Sequence, residues 1–302
     1  MATLLQNIQD VALELGLPPP NSVVGSSDTT DLQLLALMNR VGDSLLTERD
    51  WQTLVAEHRF QTVYYQYTGD TVAGSSTISN LSSVVGLTTA FTLMGDGIQQ
   101  DNFVTSVGAN SVVMNVPATA TATGTLFTFG QVKYDMPADF ERIVNKTQYN
   151  KSNRWSIIGP KDAQEWQWLK SSYITTGPRM RFRLTGDKFT IWPAPSAVLT
   201  MGYEYISNSW VVDAGGTGKK KFTVDTDTSK LPDRLLILGT KLKFFEIKGF
   251  DTSTLLMDYI RELDKFKSTE AAADTLSLAP KYANILLTQN NLPDTGLGNV
   301  GA

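Results

Sequence analysis

The stretch LPDRLLILGTKLKFFEIKGF (231–250) reads as a helix with apolar residues on almost every side. Pro232 suits a first helical position, where its missing N–H has no partner to lose and its fixed φ is already helical. Gly249 suits the residue just past the end, so the helix is expected over 232–248. A helix that is apolar all round must be buried on several sides. One amphipathic neighbour cannot do that. The fold therefore turns on which other helices the chain supplies.

Three are legible. Residues 253–270 carry a stripe of Leu256, Ile260, Leu263 and Phe266 or Lys267, with charged residues opposite. Residues 3–15 carry Leu4, Ile8, Val11 and Leu15 at helical spacing, and Gly16, Leu17 and Pro18 form a stop signal. After a loop, Asp28 or Thr29 can cap a helix over about 30–49 whose stripe is Leu34, Met38, Val41 and Leu45. The two N-terminal helices are expected as an αα-hairpin.

From Trp51 the pattern changes. Residues 57–67 (EHRFQTVYYQY) are β-rich, and the tract 69–131 has no Lys or Arg and is dominated by Thr, Ser, Val and Gly. Val112, Met114 and Val116 alternate with polar or smaller residues, and Leu126 and Thr128 alternate with Phe127 and Phe129, the period of a strand. Turn signals stand at MGDGI and GAN. This tract reads as an inserted small all-β domain of short strands. Charge returns at Val132. RMRFRLTGDKFTIW (179–192) reads as a hairpin turning at Thr185-Gly186-Asp187, and 198–207 as a further strand.

KDAQEWQWLKS (161–171) reads as a short helix with an acidic first turn. Ala163, Trp166 and Leu169 share one face. Trp168 lies about 200° round from Trp166, on the other side. One face can enter the chain's own core; the second needs another partner.

The fold class that follows is α+β: a helical bundle (N-terminal hairpin plus C-terminal helices) with a mixed α/β region and an inserted small all-β domain. The expected domains are 1–68 with 132–275 as the core, 69–131 as the β-domain, and 276–302 as an extended C-terminal arm. Composition agrees with a globular chain: of 302 residues 41% are hydrophobic and 19% charged, enough to build a core. The net charge of −4 argues against a basic nucleic-acid wrapper. The absence of cysteine removes disulfides, thiolate nucleophiles and Cys-based zinc sites. MATLLQNIQD has no basic n-region, so no secretory signal is expected, and charges interrupt every long aliphatic run, so no membrane span is expected.

Candidate chemistry is thin. His58 is the only histidine, which excludes multi-His metal sites and argues against a His-based triad. GGTGKKK (215–221) fails as a phosphate loop because Asp213 and Lys220 stand where Gly and Ser or Thr are required; it reads as a hairpin loop with a solvated basic tip. DTDTSKLPD (225–233) places Asp225, Asp227 and Ser229 at calcium-loop spacing, but Lys230 and Leu236 replace the Gly and Glu such a loop needs. It reads as a turn leading into a Pro-started helix. Arg179, Arg181 and Arg183 alternate with Met180, Phe182 and Leu184, so on a strand the guanidinium groups line one face about 7 Å apart. They need water, carboxylates such as Glu204 or Asp187, phosphate, or a neighbouring subunit. No acid/base pair, nucleophile elbow or dinucleotide fingerprint is present, so no catalytic, metal or cofactor-binding residue is expected.

Several stretches together resemble the head-to-tail adaptor (connector) proteins of short-tailed bacteriophages: YDMPADFERIVNKTQY (134–149), NRWSIIGPKDAQEWQWLKS (153–171), RFRLTGDKFTIWPAPS (181–196), YEYISNSWV (203–211) and DTDTSKLPDRLLILGTKLKFFEIKGF (225–250). Residues 74–130 resemble instead a β-module that recurs in phage tail and fibre proteins. The resemblance implies a structural virion protein of the tail or neck, assembled in the host cytoplasm. It implies a dodecameric ring beneath the portal that extends the DNA channel and docks the tail nozzle, with genomic DNA passing the lumen without sequence-specific binding. Portal protein, nozzle protein, and fibre proteins through the β-domain are the implied partners. No enzyme activity, cofactor or membrane is implied. On that footing the expected subunit or portal interface is Trp168, Arg179, Arg181, Arg183, Leu236, Phe244, Leu278, Tyr282 and Leu286. The alternative is a tail or fibre-attachment protein acting through the β-domain. A third reading, a glycan hydrolase, lacks a favoured carboxylate pair.

Overall fold

The computed structural model describes residues 1–171 and 179–270. Over the described residues it is a mixed α+β chain with five α-helices: α1 (Leu4–Glu14), α2 (Thr29–Glu48), α3 (Ala163–Ser171), α4 (Asp233–Lys248) and α5 (Ser253–Glu270), together with antiparallel sheets of short strands. Its described residues form two compact units, one of 1–56, 139–144 and 205–270, the other of 57–138, 145–171 and 179–204.

The first unit is organised round α4. Pro232 precedes its first turn, and Gly249 ends it at φ +75°, a conformation open to glycine, with Phe250 N–H bonded to the Phe245 carbonyl. α1, α2 and α5 all pack against α4. Leu235, Leu236 and Phe244 are buried there with Ile8, Leu34, Met38, Val41, Trp210 and Leu263. Most of the apolar surface of α4 is thus covered by helices of its own chain, while Ile247 near its end stays exposed. Leu236 and Phe244, expected at a subunit interface, lie in the core of their own unit at 0% and 7% exposure.

The other helix ends follow from local chemistry. Thr3 and Gln6 form a reciprocal capping box at α1, a Thr-x-x-Gln signal readable in the sequence, and Asp28 caps α2. Arg142 closes the far end of α2: its guanidinium donates to the carbonyls of Leu46 and Arg49 and to Asp50. α5 is rotated from its expected stripe. Tyr259, Leu263 and Phe266 face the core, while Leu256 and Ile260 are exposed. That side of α5 packs on α4 where Gly239 lies against Val41 and the Tyr259 ring; a Cβ there would stand 3.2 Å from Tyr259 Cε2.

The loop before α4 is built on two carboxylates. Asp225 accepts from Ser22 Oγ and from the amides of Val23 and Val24. Asp227, fully buried, accepts from Thr223 N and Val224 N at 2.9 Å and from Lys219 Nζ at 2.8 Å. Lys219 is therefore a half-buried structural cation, while Lys220 and Lys221 of the expected solvated tip are exposed. Burial works against the charged form of Asp227, but the Lys219 ammonium and the two amides outweigh it and hold the carboxyl below its usual range. A depressed carboxyl contributes stability that is present above its unfolded value, about 3.9, and is lost as pH falls through the folded value. Asp227→Asn should cost about 2 kcal/mol at pH 7. The deficit relative to the parent should vanish as pH falls well below 4. Urea unfolding at both pH values tests this, and a deficit that persists in acid would contradict it.

In the second unit, two three-stranded sheets share one apolar core. The first sheet orders Tyr64–Thr71, Ala122–Gln131 and Phe91–Met94; the second orders Thr77–Ile78, Val112–Met114 and Val104–Val107. Val112, Met114, Phe127 and Phe129 point inward as their alternation predicts, and Leu126 points out. The hairpin of Arg181–Thr185 and Lys188–Trp192 turns at Gly186, with Lys133–Asp135 on its other edge. Phe182, Phe189 and Tyr203 stack in sequence behind it, with ring centroids 4.9 Å apart at each step.

Candidate functional site

Two surfaces carry the residues singled out from sequence, and the structure adds a third. The first is α3. Asp162 accepts from the Glu165 amide at its start. Trp166 and Leu169 are buried with Trp192, while Trp168 projects at 63% exposure. Lys170 is ion-paired with Asp101 at 2.7 Å and lies over the Trp192 ring. The helix is therefore anchored on one face and presents a bare indole on the other, as its two-faced sequence predicts.

The second is the arginine edge. Register places Arg181 opposite Trp192, Arg183 opposite Thr190, and Thr190 opposite Lys133, so these side chains share one sheet face, with Phe182 buried on the other. Arg179 lies just before the strand, and its carbonyl accepts from Arg181. All three arginines are half-buried, and among the described residues none forms an ion pair; Glu204 and Asp187 are not their partners. Lys188, on the same face, is neutralised by Asp135.

The third was not anticipated. Ile247, Phe250, Leu256, Met257 and Ile260 are all exposed, at 43–68%, at the end of α4 and along the first half of α5. Beside them Arg261 pairs with Asp258 and Lys265 lies near Glu262, so the flank is internally neutralised. The signal was in the sequence: Leu255, Leu256, Met257, Tyr259, Ile260, Leu263 and Phe266 are too many apolar residues for one helix face. Large apolar side chains grouped on a surface mark contact with another molecule more than scattered ones do. Leu278, Tyr282 and Leu286 lie outside the described residues.

His58 is half-buried on its strand and stacks on Phe60 and Tyr203. Among the described residues no group of three or more acidic or histidine side chains is placed to hold a metal. No helix there is long and apolar enough to cross a membrane.

The family model described as SU10 adaptor protein matches residues 2–274. No curated protein matches the chain.

Proposed function

This chain belongs to the SU10 adaptor protein family, a family of phage structural adaptors, and from that premise we propose that it forms a homo-oligomeric, dodecameric ring beneath the portal. The ring extends the DNA channel and docks the tail nozzle; it acts by geometry and assembly, without turnover. Within it, residues 69–131 form an inserted β-module and 276–302 an arm toward the portal.

The exposed apolar surface of Ile247, Phe250, Leu256, Met257 and Ile260 carries this reading. A ring subunit needs a contact surface apart from its own core, and this one is apolar with a neutralised rim, the make-up of a protein interface. Trp168 and Arg179, Arg181 and Arg183, which form no ion pair among the described residues, supply a second contact, toward an adjacent subunit or the portal.

Native mass measurement, of the protein alone and mixed with purified portal rings, tests the proposal. Addition to the portal as a fixed multiple of the chain mass is the expected result. A stable trimer that ignores the portal would instead favour a fibre-attachment protein acting through the β-module. Trp168→Ala should leave thermal unfolding unchanged and weaken assembly by about 30-fold, the effect of truncating an anchoring aromatic worth about 2 kcal/mol. Unchanged assembly would remove α3 from the interface.

A further inference from the structure

The exposed apolar surface of α4 and α5 sits at one end of α5. Leu256, Met257 and Ile260 lie in the first half of that helix, and Ile247 and Phe250 at the end of α4 that leads into it. The other end of α5 is tied to the end of α2. The Glu270 carboxylate accepts from the Gln52 amide at 2.9 Å, and the Lys267 carbonyl accepts from Arg49. Lys267 pairs with Glu48 at 2.8 Å, and the Phe266 ring stacks on Trp51 at 4.7 Å. The chain therefore leaves α5 at a fixed place, about 20 Å along the helix from Met257.

The sequence beyond Glu270 holds a segment that matches the bare surface. Leu278, Tyr282, Ile285 and Leu286 recur at i, i+4, i+7 and i+8, the spacing of one face of a helix. Pro280 stands where the first turn of such a helix tolerates it. An amphipathic segment with anchors at this spacing is what lies down on an apolar helical surface. Its charge suits the site as well. Lys281 is the single charged residue from 275 to 293, and the five exposed side chains of α4 and α5 are all uncharged.

The same stretch of sequence says which copy is covered. To lie on its own α5, the segment has to double back directly after Glu270. Ala271, Ala272 and Ala273 favour prolonging α5 in its own direction, since alanine is the strongest helix former. No glycine stands before Gly296 to end the helix in a left-handed turn. The segment is thus led onward from α5, away from the surface it matches on its own copy and toward a second one.

We propose that, in the ring on which this assignment depends, Leu278, Tyr282, Ile285 and Leu286 of one copy cover the α4–α5 surface of the next copy. Two single-cysteine variants of the full chain, Met257→Cys and Ala283→Cys, test it cleanly because the chain has no cysteine of its own. The two are mixed, assembled on portal rings and treated with a short bismaleimide. A bridged pair of two chains on a denaturing gel is expected from the mixture, and none from either variant alone. A chain carrying both cysteines, diluted until monomeric, should show no internal bridge. Tyr282→Ala with Leu286→Ala should weaken assembly by about 100-fold at unchanged melting temperature, the loss of two anchoring side chains. The assignment is overturned if the mixture gives no bridged pair, if the diluted chain bridges internally because the segment covers its own copy, or if the alanine variant assembles like the parent. If the parent itself adds no copies to the portal by native mass, the ring falls and the assignment with it. If the parent assembles and no pair is bridged, the assignment falls alone and the ring stands.

Discussion

Gly42→Ala is expected to destabilise the first unit by about 3 kcal/mol, against a helix-propensity gain of about 1 kcal/mol. Gly42 lies in the middle of α2, where alanine is intrinsically the better residue. A Cβ there would stand 2.1 Å from Trp210 Cζ2 and 2.2 Å from Cη2. Trp210 cannot retreat: it is fully buried, its ring meets Phe222 edge-on at 5.1 Å, and its indole N–H points to Asp43. The neighbour that must give is a rigid indole with packed surroundings, so α2 has to move away from the sheet residues it covers. A loss near 3 kcal/mol lowers the melting temperature of a unit this size by about 10 °C. The control is Trp210→Phe. Placed on Gly42→Ala, it should recover part of the loss, although alone it destabilises, because the two sites are coupled through one contact. A melting temperature that rises, or strict additivity of the two changes, would show that α2 and Trp210 do not meet as described.

Helices were the most legible part of the fold, for a physical reason. Their ends are written in local residues: Gly249 past α4, Asp28 before α2, Gly16 after α1. The hairpin at Gly186 and the alternation round Phe127 and Phe129 are equally local signals. What periodicity could not supply was direction. α5 has apolar residues on two faces, and its packing against α4, where Tyr259 lies near Gly239, selects the face that turns inward. For the same reason Leu236 and Phe244 could be read as interface residues, since a helix apolar all round does not say whether its cover comes from its own chain. The roles of Asp225 and Asp227 were hidden too. Their partners at Ser22, Val23, Val24 and Lys219 are fixed by tertiary contact, and a calcium-like spacing was the only trace they left in the sequence.

Met257→Asp with Ile260→Asp should abolish assembly with the portal while leaving the fold intact. Met257 and Ile260 are 68% and 46% exposed, so neither contributes much to the core, and surface changes of this kind usually alter stability by within about 0.5 kcal/mol. On the proposed interface they belong to the same exposed apolar set as Ile247, Phe250 and Leu256, the part that a partner would dry. Central apolar residues of an interface are worth about 2 kcal/mol each when truncated, so losing both weakens association by about a thousandfold. Placing carboxylates there adds the further cost of burying unpaired charge. The existing rim cannot relieve it, because Arg261 and Lys265 lie beside Asp258 and Glu262. Native mass after mixing with portal rings should therefore show portal alone, with the variant's melting temperature matching the parent. Methionine and isoleucine replaced by leucine at both positions should assemble normally, which separates loss of apolar contact from any local change in α5. If the aspartate variant still adds to the portal as a fixed multiple, the α4–α5 surface faces solvent in the ring. The contacts that close the ring would then have to come from Trp168 and the arginine edge, and Trp168→Ala would become the variant that decides it.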